Sequence, residues 1–270
     1  MTSAEIQPHN ARAAATWNAA GADYDRVSQS IADSIEHCLQ RLAPRPGERV
    51  LDVATGTGWT ARRAAEYGAD VVGIDLGADL IEAARQLAQA RGLRIEFRVG
   101  DAEQLPFPDA TFDVVISTCG VMFASRPEAA AAELARVCRR GGRLGITTWA
   151  PDSTVAGMFA VMRPFMPAPP SPPPPSPFEW GKRERVHALL AKAFELKFED
   201  GTSMFRIPSG AAAWDLMSAS YGPTKTLLAT LDAGRREQLR QAFIGYHDKF
   251  SNDVGIAVPR EYLLTLGIRK

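Results

Sequence analysis

The 270-residue chain is 46% hydrophobic and 23% charged, an ordinary globular composition that buries roughly three quarters of its unfolded surface without staples. Its 31 basic and 31 acidic residues cancel, and the pairs Arg62-Arg63, Arg139-Arg140 and Arg235-Arg236 are scattered, which argues against a nucleic-acid or anionic-membrane partner. Cys38, Cys119 and Cys138 lack paired spacing and His9, His37, His187 and His247 lie far apart, so neither disulfides nor a metal site is expected.

At the start, Met1-Thr2-Ser3-Ala4-Glu5 lacks the basic and apolar regions of a signal peptide. No apolar run reaches the roughly 18 residues of a spanning helix, and a cytoplasmic protein with no membrane span is expected. From Ser30 to Leu42, the residues Ile31, Ile35, Cys38, Leu39 and Leu42 recur on one helical face, which Pro44 and Pro46 end. Arg49 to Val53, Asp70 to Ile74, Arg94 to Val99, Phe112 to Ser117 and Arg143 to Trp149 then read as strands. Helical patterns separate the first three and precede the fifth: Leu80, Ala83, Ala84, Leu87 and Ala88 share a face, as do Ala130, Leu134, Val137 and Cys138. Gly68, Gly92 and Gly141 follow the helix ends. Repeated βα units imply a parallel sheet covered on both faces. Ile95, Phe97 and Val99 alternate with charged residues whereas Val71-Val72 and Val114-Val115-Ile116 are continuously apolar, which puts the third strand at the rim and the others inside.

After Trp149, Pro164, Pro167, Pro169, Pro170, Pro172 to Pro175 and Pro177 predict an extended surface connection. Phe194, Leu196 and Phe198 alternate as a further strand, and Glu261 to Ile268, just past Pro259, gives a last one. Gly210 to Phe250 between them reads as helical, broken at Gly222-Pro223, and is the candidate substrate cap.

The first strand runs into Asp52-Val53-Ala54-Thr55-Gly56-Thr57-Gly58, with a helix from about Trp59. Gly56, Gly58 and Ala61 satisfy G-x-G-x-x-A, a loop that lets a ligand lie against bare backbone at a helix N-terminus. Asp75 closes the second strand where an acidic residue would grip ribose hydroxyls. A nicotinamide dinucleotide brings a pyrophosphate to such a loop, whereas S-adenosylmethionine brings an ammonium and a sulfonium, which suit the Asp52 carboxylate better. A cap on the turn is the structural alternative for Asp52. Gly100-Asp101-Ala102-Glu103-Gln104-Leu105-Pro106-Phe107-Pro108 offers a carboxylate and backbone N–H groups to a nucleobase. The fourth strand ends in Ser117-Thr118 at the same crevice.

These segments, with Gly73-Ile74-Asp75, Phe112-Asp113-Val114-Val115 and Arg136-Val137-Cys138-Arg139-Arg140-Gly141-Gly142-Arg143-Leu144, resemble the class I S-adenosylmethionine-dependent methyltransferases. The resemblance is to the methyltransferase type 11 branch that includes the ubiquinone and menaquinone biosynthesis methyltransferases, and it covers about Trp17 to Trp149. It implies an α/β, Rossmann-like, seven-stranded, mostly parallel sheet with helices on both faces, an antiparallel last strand and a helical cap insertion. It also implies that Asp75 binds ribose, Asp101 and Ala102 bind adenine, and the backbone near Gly56 and Thr118 holds the methionine end. Trp17, Tyr24, Asp52, Ala54, Thr55, Gly58, Leu76, Glu103 and Ser117 complete the expected cofactor set, Trp17 to Asp25 being similar to that branch's N-terminal lid.

The expected organisation is a lid and first helix over 1–45, the binding core over 46–150, the proline-rich connection over 151–182, and the end of the sheet over 183–270, with the cap at about 209–252. The expected activity is methyl transfer from S-adenosylmethionine to a small apolar or aromatic acceptor, leaving S-adenosylhomocysteine. Met122, Phe123, Trp214 and Tyr221 are the candidate substrate pocket, in a region whose other methionines and aromatics are equally explained as core. No catalytic residue is singled out; His187, His247 and Tyr221 are the side chains able to act as a base where the nucleophile arrives protonated. Cys119 reads as small and buried. The alternatives are an NAD(P)-dependent oxidoreductase and a non-catalytic S-adenosylmethionine-binding protein.

Overall fold

The computed structural model describes residues 6–168, 171 and 173–270; Met1 to Glu5 and, in the proline-rich stretch, Pro169, Pro170 and Pro172 lie outside the described residues. The chain opens with α1 (Ala11–Asn18), α2 (Tyr24–Gln29) and α3 (Ala32–Leu42). Alternating units follow: β1 (Arg49–Val53), α4 (Trp59–Glu66), β2 (Asp70–Asp75), α5 (Ala78–Ala90), β3 (Glu96–Val99), β4 (Phe112–Thr118), α6 (Pro127–Val137) and β5 (Cys138–Trp149). The remainder comprises α7 (Thr154–Met162), α8 (Arg183–Leu190), β6 (Phe194–Ile207), α9 (Gly210–Ser220), α10 (Gly222–Thr230), α11 (Ala233–His247), β7 (Ser251–Asn252) and β8 (Gly255–Arg269).

The sheet runs β3-β2-β1-β4-β5-β8-β6, with β1 to β5 parallel and β8 antiparallel to both its neighbours. Val50, Leu51, Val71, Val72, Val114, Val115, Leu144 and Ile146 are buried, as central strands covered on both faces require. The helices α3 and α6 both contact β4 and β5. As expected, β3 forms a rim; the other rim is β6, not an inner strand.

The sheet has eight strands rather than seven. The extra one, β7, is two residues long and pairs with the start of β8 around Asp253-Val254, too short to leave a periodic trace. The last strand begins at Gly255, not Glu261. Pro259 is tolerated inside it because β5 pairs only with Tyr262 to Ile268, so the proline's missing N–H falls on an unpaired edge.

The segment after Trp149 is also more structured than an extended connection. Ser153 caps α7 by accepting from the Ala156 N–H at 3.3 Å, and Pro164 stands where that helix tightens into a 3-10 turn. A second 3-10 turn, Pro177–Gly181, buries Trp180, whose carbonyl accepts from Thr148 Oγ1 at 2.8 Å. The cap consists of α9, α10 and α11, broken at Gly222-Pro223 as expected and again at Leu231, after which Asp232 caps α11 by accepting from Arg235 N at 2.8 Å.

Lid and cap meet: α1 contacts α10 and α2 contacts α9. Gly222 makes this possible, since a Cβ there would stand 2.2 Å from the Thr16 carbonyl oxygen. Among the described residues, no helix is long and apolar enough to cross a membrane.

Packing of α3 onto β5 admits only glycine at position 145, where a Cβ would lie 2.5 Å from Leu42 Cδ1 and 2.8 Å from Cys38 Sγ. Gly145→Ala is therefore expected to cost about 1–3 kcal/mol by overpacking. Urea unfolding checks this: the midpoint should fall with an unchanged m-value.

Candidate active site

The strand order reverses between β1 and β4, so their carboxyl ends diverge and open a crevice. Both end in a non-glycine residue in left-handed conformation, Ala54 at φ 56° and Cys119 at φ 51°. Such residues cost about 1–3 kcal/mol each and persist only where the surroundings enforce them. Gly120 lets the two turns approach this closely, since a Cβ on it would stand 2.6 Å from the Ala54 Cβ. Ser117 ties the same two strands: its Oγ donates to Val53 O at 2.8 Å and accepts from Val121 N at 2.9 Å.

A cleft of about 890 Å³, counting its open mouth, lies over this point. Of the expected cofactor residues, Trp17, Tyr24, Ala54, Thr55, Gly56, Asp75, Leu76, Asp101, Ala102, Glu103 and Thr118 line it. The carboxylate of Asp75 is buried by the loop it braces: Oδ2 accepts from Gly56 N and Oδ1 from Gly77 N, both at 2.9 Å. Each oxygen keeps a lone pair for a hydroxyl donor. Burial raises the Asp75 pKa, and these N–H groups oppose the shift. Asp101 accepts from Glu103 N at 2.9 Å, Gln7 N at 3.1 Å and Asn10 Nδ2 at 2.8 Å, so the chain's own N-terminal segment already engages it.

Three expected cofactor residues do not line the cleft. Gly58 packs inward, where a Cβ would stand 2.8 Å from Phe97 Cζ, and Ser117 is spent on the strand tie above. Asp52 is a correction of role as well as place. It is 1% exposed beneath the loop, with Oδ2 accepting from Thr55 Oγ1 at 2.5 Å and Oδ1 without a partner. Its side chain braces the turn instead of meeting a cationic ligand.

A second cavity of about 630 Å³ adjoins the cleft and shares Trp17, Tyr24, Ile31, Cys119 and Phe123 with it. The Trp17 ring meets Tyr24, Phe123 and Tyr221 edge-on with centroids 6.1, 4.8 and 5.6 Å away. Four residues from three separate parts of the chain thus form one aromatic partition. Of the candidate pocket residues, Tyr221 and Phe123 line the second cavity, whereas Met122 and Trp214 are buried outside its lining, Trp214 meeting Phe243 edge-on at 5.5 Å. Residues the sequence reading left out of the pocket set include Trp149, Thr154, Phe205, Val258 and Arg260. Met158, Phe159 and Met217 also line it; their apolar spacing was visible, their direction was not.

Of the three candidate bases, His187 is exposed on α8, outside both cavities. His247 lines the second cavity; its Nδ1–H donates to Phe243 O at 2.9 Å, which leaves Nε2 as an acceptor, and burial lowers its pKa. Burial pushes the Tyr221 phenol up and the Cys119 thiol up to about 12, so Cys119 is an unactivated, small buried group. Among the described residues, no cluster of His, Cys, Asp and Glu suits a metal ion.

The N-terminal segment is fastened by charged and polar ties beyond the ends of three strands. Asp25 accepts from Arg62 Nη2 at 2.7 Å and Thr57 Oγ1 at 2.9 Å after β1, Asn18 donates to Asp79 at 2.8 Å after β2, and His9 pairs with Glu103 at 2.7 Å after β3.

Burial lifts the Asp52 pKa from 3.8 to about 7. An acid whose pKa rises on folding holds its proton in the native state after the unfolded chain has released it, so its contribution to stability falls as pH rises through that interval. Asp75, shifted the same way, adds to the slope. Asp52 should therefore take stability from the ligand-free protein between about pH 4 and 7, against the opposite contribution of His247, and Asp52→Asn should remove that part of the slope. Urea midpoints across this range measure it; an equal slope in the variant would clear Asp52 as its source.

Residues 51–146 match the family described as methyltransferase domain. An uncharacterised protein of Mycobacterium tuberculosis is 40% identical over 242 residues, covering 81% of this chain and 84% of the relative. The malonyl-[acyl-carrier protein] O-methyltransferase of Serratia marcescens is 35% identical over 153 residues, 57% of this chain and 58% of that enzyme. The solved YcgJ protein of Bacillus subtilis shares the fold with a TM-score of 0.64 at 22% identity, over 88% of this chain and 99% of that one. With the glycine loop, the acidic ends of β2 and β3 and the crevice at the strand reversal in place, the chain belongs to the S-adenosylmethionine-dependent methyltransferases.

Proposed function

We propose that the enzyme methylates a small, apolar or aromatic molecule seated in the second cavity, and that the lined cleft is its S-adenosylmethionine site. The observation that carries this reading is the adjacency of two spaces of different chemistry across one aromatic partition. One is floored by backbone and two carboxylates; the other is walled by Met158, Phe159, Phe205, Met217 and Tyr221. Both volumes fall within the roughly 300–1,000 Å³ of ligand pockets.

The residues fit the cofactor. Asp75, with a free lone pair on each oxygen, holds the ribose hydroxyls, with Leu76 beside them; Asp101, Ala102 and Glu103 face the adenine; and the backbone of Ala54 to Gly56, with Thr118, takes the methionine end. Bound there, S-adenosylmethionine supplies a methyl group already activated by its sulfonium. The protein's own task is then orientation and exclusion of water, which can be worth about 7–11 kcal/mol. Trp17, Tyr24 and Phe123 border both spaces and would hold acceptor and methyl donor in contact while the lid, pinned by Asp25 and Arg62, keeps solvent out. Where the acceptor arrives protonated, His247 Nε2 is the buried base within the cavity wall.

The organisation into lid, binding core and cap follows the same reading, with α7 and α9 to α11 as the acceptor-binding half. That half lies outside the residues that match the family, 51–146, so acceptor choice is written in elements particular to this chain and its nearer relatives.

Calorimetric titration with S-adenosylhomocysteine, and separately with NADH, tests the assignment. Wild type should bind S-adenosylhomocysteine alone, and Asp75→Ala, which removes charge-assisted hydrogen bonds of about 1.5–3 kcal/mol each, should weaken it at least tenfold. Equal affinity in the variant would remove Asp75 from the site, and binding of NADH alone would overturn the cofactor assignment.

A further inference from the structure

Arg260 sits in β8 with 6% of its surface exposed and lines the second cavity beside Phe205, Met217 and Val258. Its contacts are almost all neutral. Nη1 donates to Ser30 Oγ at 3.3 Å, and Nη2 donates to the Ser30 carbonyl and to Ser203 Oγ, the latter at 3.3 Å. Nε is buried without a partner. The guanidinium also stacks over the rings of Phe205, 4.7 Å from the centroid, and Trp149, 5.7 Å away.

A buried guanidinium ordinarily has a carboxylate against it, because an unpaired charge in an apolar interior is strongly unfavourable. The other deeply buried arginine, Arg62, obeys this rule with Asp25 at 2.7 Å. Arg260 has no such ion pair among the described residues: Asp33 is reached only through Ser203, whose Oγ donates to Asp33 Oδ1 at 2.6 Å. Burial lowers the Arg260 pKa from 12.5 to about 10 while the nearby Asp33 charge, bridged through Ser203, opposes the shift, and the group stays cationic at neutral pH. Tyr24, Cys119, Tyr221 and His247, the ionisable side chains that share this wall, are pushed toward their neutral forms by burial and offer no countercharge.

We propose that Arg260 is the specificity residue of the acceptor cavity, and that the acceptor is an aromatic or apolar molecule carrying a carboxylate that completes this guanidinium. Charge-assisted pairing inside a dry cavity gives such an acid an advantage that a neutral molecule of the same shape lacks. This inference rests on the second cavity being the acceptor site, and it deepens that reading.

The probes are 1-naphthoate and 1-naphthamide, near-equal in shape and different in charge. Each is titrated by calorimetry into the protein alone and into protein saturated with S-adenosylhomocysteine. Wild type should bind the acid at least tenfold more tightly than the amide. Arg260→Met should abolish that preference, and Arg260→Lys should keep part of it, with S-adenosylhomocysteine affinity unchanged in all three proteins. The wild-type comparison stands even where a variant fails to fold. Equal affinity for acid and amide in wild type overturns the proposal. So does an equal loss for both probes in Arg260→Met, which would make the arginine a scaffold for Ser30. A variant that weakens S-adenosylhomocysteine instead would place Arg260 in the cofactor site and overturn it as well. Failure of wild type to bind S-adenosylhomocysteine would count against the cofactor assignment alone, since the acid-to-amide ratio is also read without it.

Discussion

Between β1 and α4 the backbone must turn from strand to helix while leaving room for a ligand to lie against it, and the turn holds because a neighbouring strand grips it. Thr55 N donates to Ile74 O at 3.0 Å and Gly56 N to Asp75 Oδ2 at 2.9 Å, so the end of β2 clamps the loop in the middle. Left-handed conformations at Ala54, Gly56 and Gly58 follow from that clamp, and Gly58 then lets Phe97 of β3 press against the loop from below. One carboxylate therefore does two things: it fixes the loop with the lone pairs that face the backbone and presents the remaining ones to the cleft. The lid depends on the same loop, because Thr57 and Arg62, which fasten Asp25, are placed by it.

The binding half was legible in the sequence because its signals are local. A glycine loop after an apolar strand, an aspartate ending the next strand and Gly100-Asp101-Ala102-Glu103 after the third are each short segments whose position in the fold follows from strand order. What spacing does not carry is side-chain direction. Asp52 was read as facing a cation because it precedes the glycines, yet it turns under the loop to Thr55. Ser117 looked like a cleft hydroxyl and is consumed by Val53 and Val121.

The acceptor half was legible only as composition. Trp17, Phe123 and Tyr221 come together through three separate excursions of the chain, and no local pattern encodes that meeting. Proline misled twice, once by hiding α7 inside a stretch read as extended, and once by placing the start of the last strand after Pro259. Arg260 carries no signal of its own in the sequence, because it lies between Pro259 and the apolar alternation that begins at Glu261. Pro259 stays in the strand since it lies past the end of β5, a fact of topology and not of local propensity.

Charge is treated unevenly around the two cavities. Burial drives the acids and the imidazole around the methyl-transfer region toward their neutral forms: Asp52 and Asp75 upward, Tyr221 and Cys119 upward, His247 downward. Arg260 is the exception, a cation kept in an apolar wall. Methyl transfer moves one positive charge from the sulfonium to the acceptor and leaves the total unchanged, so an anion paired with Arg260 offsets the arginine's charge equally before and after the step. On the proposed reading the arginine therefore acts on which acceptor binds, while the direction of transfer rests with the sulfonium itself.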